Sequence, residues 1–320
     1  MKRRIVVIVF IFLLVSVGVL FFAPITFAIK KQITISASIT AVADQITDLR
    51  NWPNWNEELK KENIPSLQNA AQINKTRSHL HYANVSYDLI RQSAAAVLVK
   101  VDDNGAKKYH SIFILPDSNI NFTTVFWIEN LSPASWIKEK IHSSGKIEVN
   151  LNSLKNYMED PRQYYGFNII LGKVEDSVVI TEITTVAKNN KSKTLSALYQ
   201  DIVSKANANN IRIDETNSRI AHFYQIGKDS LRIMAAISVD KRQNPKNDLD
   251  FLEMPPQGKM LYGYYEGAYN GIQKLYYAMN KYMDDKHLKL IAVPYEKYLS
   301  NPRSAEDSLH MKIKLCYPVL

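Results

Sequence analysis

Five apolar positions of one helical pattern recur 77 residues further along the chain. Leu195, Leu198, Tyr199, Ile202 and Ala206 follow the i, i+3, i+4, i+7, i+11 spacing of a buried helix face, and Ile272, Leu275, Tyr276, Met279 and Met283 repeat it. Asp229-Ser230-Leu231 returns 78 residues later as Asp307-Ser308-Leu309, each opening a strand pattern, Leu231–Val239 and Leu309–Val319. A unit that is repeated in this way has to bury the same face twice. Two copies of strand, helix, strand, strand therefore pack about a pseudo-dyad and leave a groove along it.

The later copy carries the chemistry. Met260, Tyr262 and Tyr264 alternate onto one strand face. Glu266-Gly267 marks a turn, the helix follows, and after Pro294 a second strand sets Glu296 and Tyr298 on one side, because residues two apart share a face. At offsets of 77–78, Glu296 corresponds to Arg219 or Ser218, so the carboxylate is an addition to one copy and not part of the repeated framework. Tyr262, Tyr264, Tyr276, Tyr298 and Tyr317 are the candidate wall around it, although any one of them alone also suits a core. Tyr265, Tyr269, Tyr277 and Tyr295 fall on opposite faces by periodicity. A carboxylate among tyrosines can stay ionised and attract a cation whose flat apolar body stacks on the rings. Desolvated, it can instead serve as a general base on a water held by a tyrosine. The plain alternative is a solvent-facing strand carboxylate paired with Lys297 or Lys259.

Tyr262-Gly263-Tyr264-Tyr265-Glu266-Gly267-Ala268-Tyr269, the tyrosine-rich helix, Pro294-Tyr295-Glu296-Lys297-Tyr298-Leu299-Ser300-Asn301-Pro302 and the closing Tyr317-Pro318-Val319 resemble the GyrI-like domain, also called the AraC effector-binding domain. The resemblance implies a cleft for small hydrophobic or cationic molecules, with Glu296 as its charged group. It also implies two alternatives: a hydrolase that detoxifies electrophilic small molecules with Glu296 as catalytic general base, or a transcription- or gyrase-linked regulator.

Earlier in the chain, Ile33–Ile39 alternates as a strand, Ala41–Leu49 reads as a short helix, and Asn51-Trp52-Pro53-Asn54-Trp55-Asn56 follows. That opening resembles the START-like superfamily (SRPBCC, polyketide cyclase/dehydrase), which implies a helix-grip fold around a hydrophobic cavity. Trp52 and Trp55 are expected to pack the sheet mouth. Strands are expected at His79–Ile90, Ala94–Val101, Tyr109–Leu115 and Phe122–Ile128. A helix with Ile147, Leu151, Leu154 and Met158 inward is expected to end at Asp160-Pro161.

Ile5 to Ile29 is apolar apart from Ser16, Gly18, Pro24 and Thr26, 25 residues or about 37 Å as a helix, enough to cross a bilayer. Residues 1–31 hold five basic residues and no acid, so of the net charge of +9 only +4 belongs to the remainder. The pattern predicts a single-pass anchor in a bacterial inner membrane with a periplasmic body. Neither a basic face nor a helix-turn-helix is recognisable, so no nucleic-acid partner is expected. Cys316 is the only cysteine, which excludes an intrachain disulfide, and a buried thiol is expected there. No CxxC or HExxH occurs, and neither a metal nor a cofactor is expected.

The expected fold is thus α+β: a transmembrane anchor over residues 1–30, a START-like helix-grip domain over 31–160 with an antiparallel sheet around its carboxy-terminal helix, and a duplicated strand–helix–strand–strand GyrI-like domain over 161–320, with repeats about 165–240 and 248–320. The expected function is that of a membrane-tethered protein binding a small hydrophobic or cationic aromatic ligand.

Overall fold

The computed structural model describes residues 18, 26–61, 73–82, 84–142, 145–213, 219–242, 249–300 and 307–320. Contacts divide the chain into two units, Met1–Asp160 and Pro161–Leu320.

In the first unit, β1 (Phe27–Ile35) alternates Phe27, Ile29, Ile33 and Ile35 against polar neighbours, the period of a half-buried strand. It pairs with β7 (Thr123–Leu131) along its whole length, Phe27 opposite Leu131 and Ile35 opposite Thr123. The sheet continues through β6 (Ala106–Pro116), β5 (Ala96–Asp103), β4 (Val85–Gln92), β3 (His79–Tyr82) and β2 (Ile73–Lys75), in the order β1-β7-β6-β5-β4-β3-β2 and antiparallel throughout. Among the described residues, helices α1 (Ile39–Thr47), α2 (Glu57–Lys61) and α3 (Pro133–His142) precede the last one. Then α4 (Lys146–Glu159) buries Ile147, Leu151, Leu154 and Met158 and packs on β1. Trp52 and Trp55 are fully buried with ring centroids 5.0 Å apart, beside Trp127 and Tyr87.

These elements correct the expected fold class and localisation. The described residues build two large antiparallel sheets, of seven and eight strands, with few and mostly short helices. Among the described residues no helix is long and apolar enough to cross a membrane. The end of the expected anchor, Phe27–Ile29, is the start of a strand, because the alternation that runs on to Ile35 finds a full-length partner in β7. The rest of residues 5–29 lies almost wholly outside the described residues. Nothing described supports a single-pass inner-membrane protein with a membrane partner. The strand expected over Ile33–Ile39 stops at Ile35, since the Ser38 hydroxyl accepts from Ala41 N–H at 3.3 Å and opens α1 instead. The single strand expected over His79–Ile90 is a hairpin, β3 and β4. Helix α3 was not expected, yet Ser132, whose hydroxyl accepts from Ser135 N–H, and Pro133 at the first helical position are ordinary start signals.

The second unit opens with α5 (Pro161–Tyr164) and β8 (Asn168–Lys173). One repeat follows as β9 (Val178–Ala187), α6 (Lys191–Ala208), β10 (Arg219–Gln225) and β11 (Ser230–Ser238). After β12 (Asp250–Glu253) the other runs β13 (Lys259–Gly267), α7 (Ile272–Asp285), β14 (Tyr295–Tyr298) and β15 (Met311–Val319). The sheet order is β12-β9-β11-β10-β14-β15-β13-β8. The copies meet at β10 and β14, with Ile220 opposite Lys297 and Ala221 opposite Glu296. The strand before each copy pairs with the other copy, β8 with β13 and β12 with β9.

One face of this sheet carries both helices. Tyr199, Ile202 and Ala206 of α6 pack on Ile180, Ala235 and Ile237, while Leu275, Ala278 and Met279 of α7 pack on Leu261, Leu315 and Tyr317. On the other face a second cluster gathers Val179, Ile220, Ala236, Met260, Tyr262, Tyr295 and Cys316. Helix α7 lies close enough to β13 that a Cβ on Gly263 would stand 2.6 Å from Met279 Sδ and 2.8 Å from Leu275 Cδ1. Both side chains are fully buried. Gly263→Ala is therefore expected to destabilise the second unit by about 1–3 kcal/mol, read as a lowered urea midpoint.

A second expectation concerns pH. Burial, with Lys108 nearby, pushes the His110 imidazole in the first unit down to about 4, against a partial opposing pull from Glu58. Between pH 6.5 and 4 the unfolded chain binds a proton at His110 that the folded chain does not, so stability should fall as pH is lowered through that window. His110→Gln should flatten the stability–pH slope there by about one proton, measured by urea unfolding at several pH values.

Candidate functional site

Strand β14 is short and central, and both its faces are covered. Glu296 faces α6 and α7 and is 2% exposed. An ionised carboxylate in such a place is costly unless it is fully hydrogen-bonded. Three tyrosine hydroxyls meet that need. Tyr276 donates to Oε1 at 2.9 Å, Tyr298 to Oε2 at 2.8 Å, and Tyr269 lies 3.0 and 3.1 Å from the two oxygens. Each donor comes from a different element: the first turns of α7, β14 itself, and the short 3-10 turn Tyr269–Gly271 that leads into α7. Burial, and after it the negative charge of Glu296, raise the hydroxyls of Tyr269, Tyr276 and Tyr298 above the ordinary tyrosine value. They therefore remain protonated donors.

Beside this cluster lies a cleft of about 520 Å³, lined by Leu195, Tyr199 and Arg219 on one side and Tyr269, Tyr298 and Met311 on the other, with Lys191 at the start of α6. The Lys191 ammonium donates to Tyr269 Oη at 2.6 Å. Its Nζ also stands 3.5 Å from the ring centroid of Phe223 and 4.4 Å from that of Tyr269. Burial pulls the Lys191 pKa down, and the Glu296 charge partly offsets that. On the far wall Tyr199 donates to the Ile220 carbonyl at 2.8 Å, and Arg219 lies 5.3 Å over the Tyr199 ring.

The residues singled out from sequence fall into three places. Glu296, Tyr298 and Tyr276 are brought together. Tyr317 sits behind them, buried, its ring 6.4 Å from Tyr276 and its hydroxyl donating to Asn280 Oδ1 at 3.2 Å, so it supports the wall without lining the cleft. Tyr262 and Tyr264 are on the opposite face of the sheet: Tyr262 donates to the Lys173 carbonyl at 2.6 Å and packs, with Tyr264, on the other cluster. Alternation along β13 groups Tyr262 with Tyr264, but Met260 through Gly263 are all buried, so polarity does not say which face meets the helices. Tyr269, expected to face away, is a principal donor, because the 3-10 turn offsets it from the helix period. Lys191, within a stretch that reads as a solvated turn, is half-buried. The strand register is compatible with the offset of 77: Ala221, opposite Glu296, shares its sheet face, and so does Arg219 two residues before it, whereas Ile220 packs in the cluster on the other face. At that offset the first copy has Arg219 where the second has its carboxylate.

Residues 178–320 match the family model of the GyrI-like small molecule binding domain. The match covers 143 of the 320 residues, so this region is similar to that domain. The match begins at Val178, within the second unit, and nothing supports the START-like resemblance drawn for residues 31–160. No curated protein matches the chain in sequence. Similar solved structures include the EcmrR C-terminal domain, at 14% identity and TM-score 0.41 over 48% of this chain and 98% of that one. A hydrolase from Listeria innocua aligns at 14% identity and TM-score 0.36 over 48% and 92% of the two chains. SAV2435 bound to tetraphenylphosphonium aligns at 10% identity and TM-score 0.32 over 48% and 94%.

A buried carboxylate that rests on three hydroxyls is sensitive to the loss of any one. Tyr276→Phe keeps the ring and removes a donor to Glu296, and should lower stability by about 1–3 kcal/mol in denaturant unfolding. An unchanged midpoint would mean that Tyr276 does not carry the carboxylate.

Proposed function

We propose that the second unit binds a small, flat, hydrophobic ligand in the cleft over Tyr269 and Tyr298, and that Glu296 answers positive charge on that ligand. The observation that supports this reading most is the buried Glu296 carboxylate, held by neutral tyrosine donors of which Tyr269 and Tyr298 also line an open cleft. Ring faces attract both apolar bodies and cations. A charge fixed at low dielectric behind them acts further than one in water.

The hydrolase alternative is less favoured by the same geometry. Both oxygens of Glu296 already accept from tyrosine hydroxyls, so most of the roughly four acceptor sites of the carboxylate are engaged and little is left to take a proton from an attacking water. Binding asks for no proton transfer.

The test is the affinity of the full chain for N-methyl-4-phenylpyridinium, a flat aromatic cation, and for its neutral isostere 4-methylbiphenyl, read by tyrosine fluorescence quenching. Glu296→Gln is expected to weaken the cation by about 1–3 kcal/mol, the range for a hydrogen-bonded charged group, and to leave the neutral compound nearly unchanged. Equal cation affinity in the wild type and the variant would remove Glu296 from the binding reading.

A further inference from the structure

The place best suited to a cation in this cleft is already taken by a side chain of the same protein. Lys191 Nζ lies 3.5 Å from the Phe223 ring centroid and 4.4 Å from that of Tyr269, well inside the range at which ring faces hold an ammonium. It also donates at 2.6 Å to Tyr269 Oη, the hydroxyl shared with both oxygens of Glu296. Phe223 and Glu296 belong to adjacent strands, β10 and β14, and Ala221, two residues before Phe223, stands opposite Glu296, so the ring and the carboxylate share a sheet face. Lys191 reaches them from the first residue of α6, a cleft-lining position from which the flexible stem can also extend outward to water.

We infer that Lys191 is a resident cation and the specificity-determining residue of the cleft: its ammonium fills the seat between Phe223 and Tyr269, and a cationic ligand binds only by displacing it. The inference rests on the binding reading above. A neutral aromatic ligand can stack on the exposed ring surface without removing Lys191, so displacement burdens cations alone. Lys191 thereby sets a threshold that admits only cations whose apolar body contributes enough burial to outcompete an ammonium already held in place. The same occupancy keeps the charge of Glu296 answered while the cleft is empty.

The experiment compares the full-length protein with its Lys191→Met and Lys191→Arg variants, titrating each with N-methyl-4-phenylpyridinium and with 4-methylbiphenyl. Met preserves the length and apolar character of the stem and removes the charge, and Arg retains a charge. The expected result is that Lys191→Met binds the cation roughly tenfold tighter than the wild type, a difference of about 1.4 kcal/mol. The neutral compound should stay within about threefold, and Lys191→Arg, which keeps a charge between the rings and stacks on them at least as well, should not show the tightening of the cation. Cation affinity unchanged or weakened in Lys191→Met, with the neutral compound still bound, overturns the role of Lys191 and leaves the binding reading intact. Absence of binding of both compounds to all three proteins overturns both. A thermal midpoint for each variant close to that of the wild type identifies a change in affinity as local to the cleft.

Discussion

The arrangement of the second unit depends on how one carboxylate is kept inside it. Glu296 lies in the strand next to the pseudo-dyad, out of contact with water, and a charge in that position has to replace its lost hydration with fixed donors. The replacement consists of three hydroxyls on rigid aromatic stems. A phenol donates strongly to a carboxylate without carrying a countercharge, so the negative charge is held in place without being neutralised. The positive charge that stands nearby, on Lys191, reaches Glu296 through the Tyr269 hydroxyl. Much of the local architecture can be read as a consequence. The 3-10 turn brings Tyr269 in, α7 approaches β13 over Gly263 so that Tyr276 can point down, and Tyr317 backs Tyr276 from the sheet.

Duplication explains why such a site arises where it does. Two copies bury matching helix faces and join through the short strands β10 and β14. At the offset of 77, Glu296 falls on Arg219 of the first copy, which lies over the Tyr199 ring. The helix of the first copy has Tyr199 where the second has Tyr276, and Tyr199 donates to a backbone carbonyl instead of a carboxylate. The framework is therefore shared, and the chemistry belongs to the asymmetry between the halves.

The helical period was legible because it is strong: the inward positions Leu275 and Met279 of α7, and Tyr199, Ile202 and Ala206 of α6, are read directly from spacing. The pairing of Glu296 with Tyr298 was legible because a strand of any register puts i and i+2 on one side. The sequence did not disclose which side of a doubly covered sheet meets the helices, and Tyr262 and Tyr264 are misplaced for that reason. Tyr269 and Lys191 were obscured by 3-10 turns, Lys188–Asn190 and Tyr269–Gly271, whose period differs from that of the helices they introduce. At the amino-terminal end, continuous apolar composition suggested a membrane helix, but composition does not report pairing, and Phe27–Ile29 joins a sheet. In the first unit, helix α4 and strands β5, β6 and β7 followed from turns and periodicity, whereas β2 was not expected and the turn that separates β3 from β4 has no glycine or proline to mark it.

The most direct measurement is a crystal structure of the protein soaked with N-methyl-4-(4-bromophenyl)pyridinium, a flat aromatic cation whose bromine is located by its anomalous scattering independently of any refined side chain. The account predicts a bromine peak in the cleft beside Tyr269 and Tyr298, with Glu296 still accepting from its tyrosines and the Lys191 ammonium moved out of the space between Phe223 and Tyr269. A bromine peak confined to another surface, with that cleft unoccupied, would contradict it.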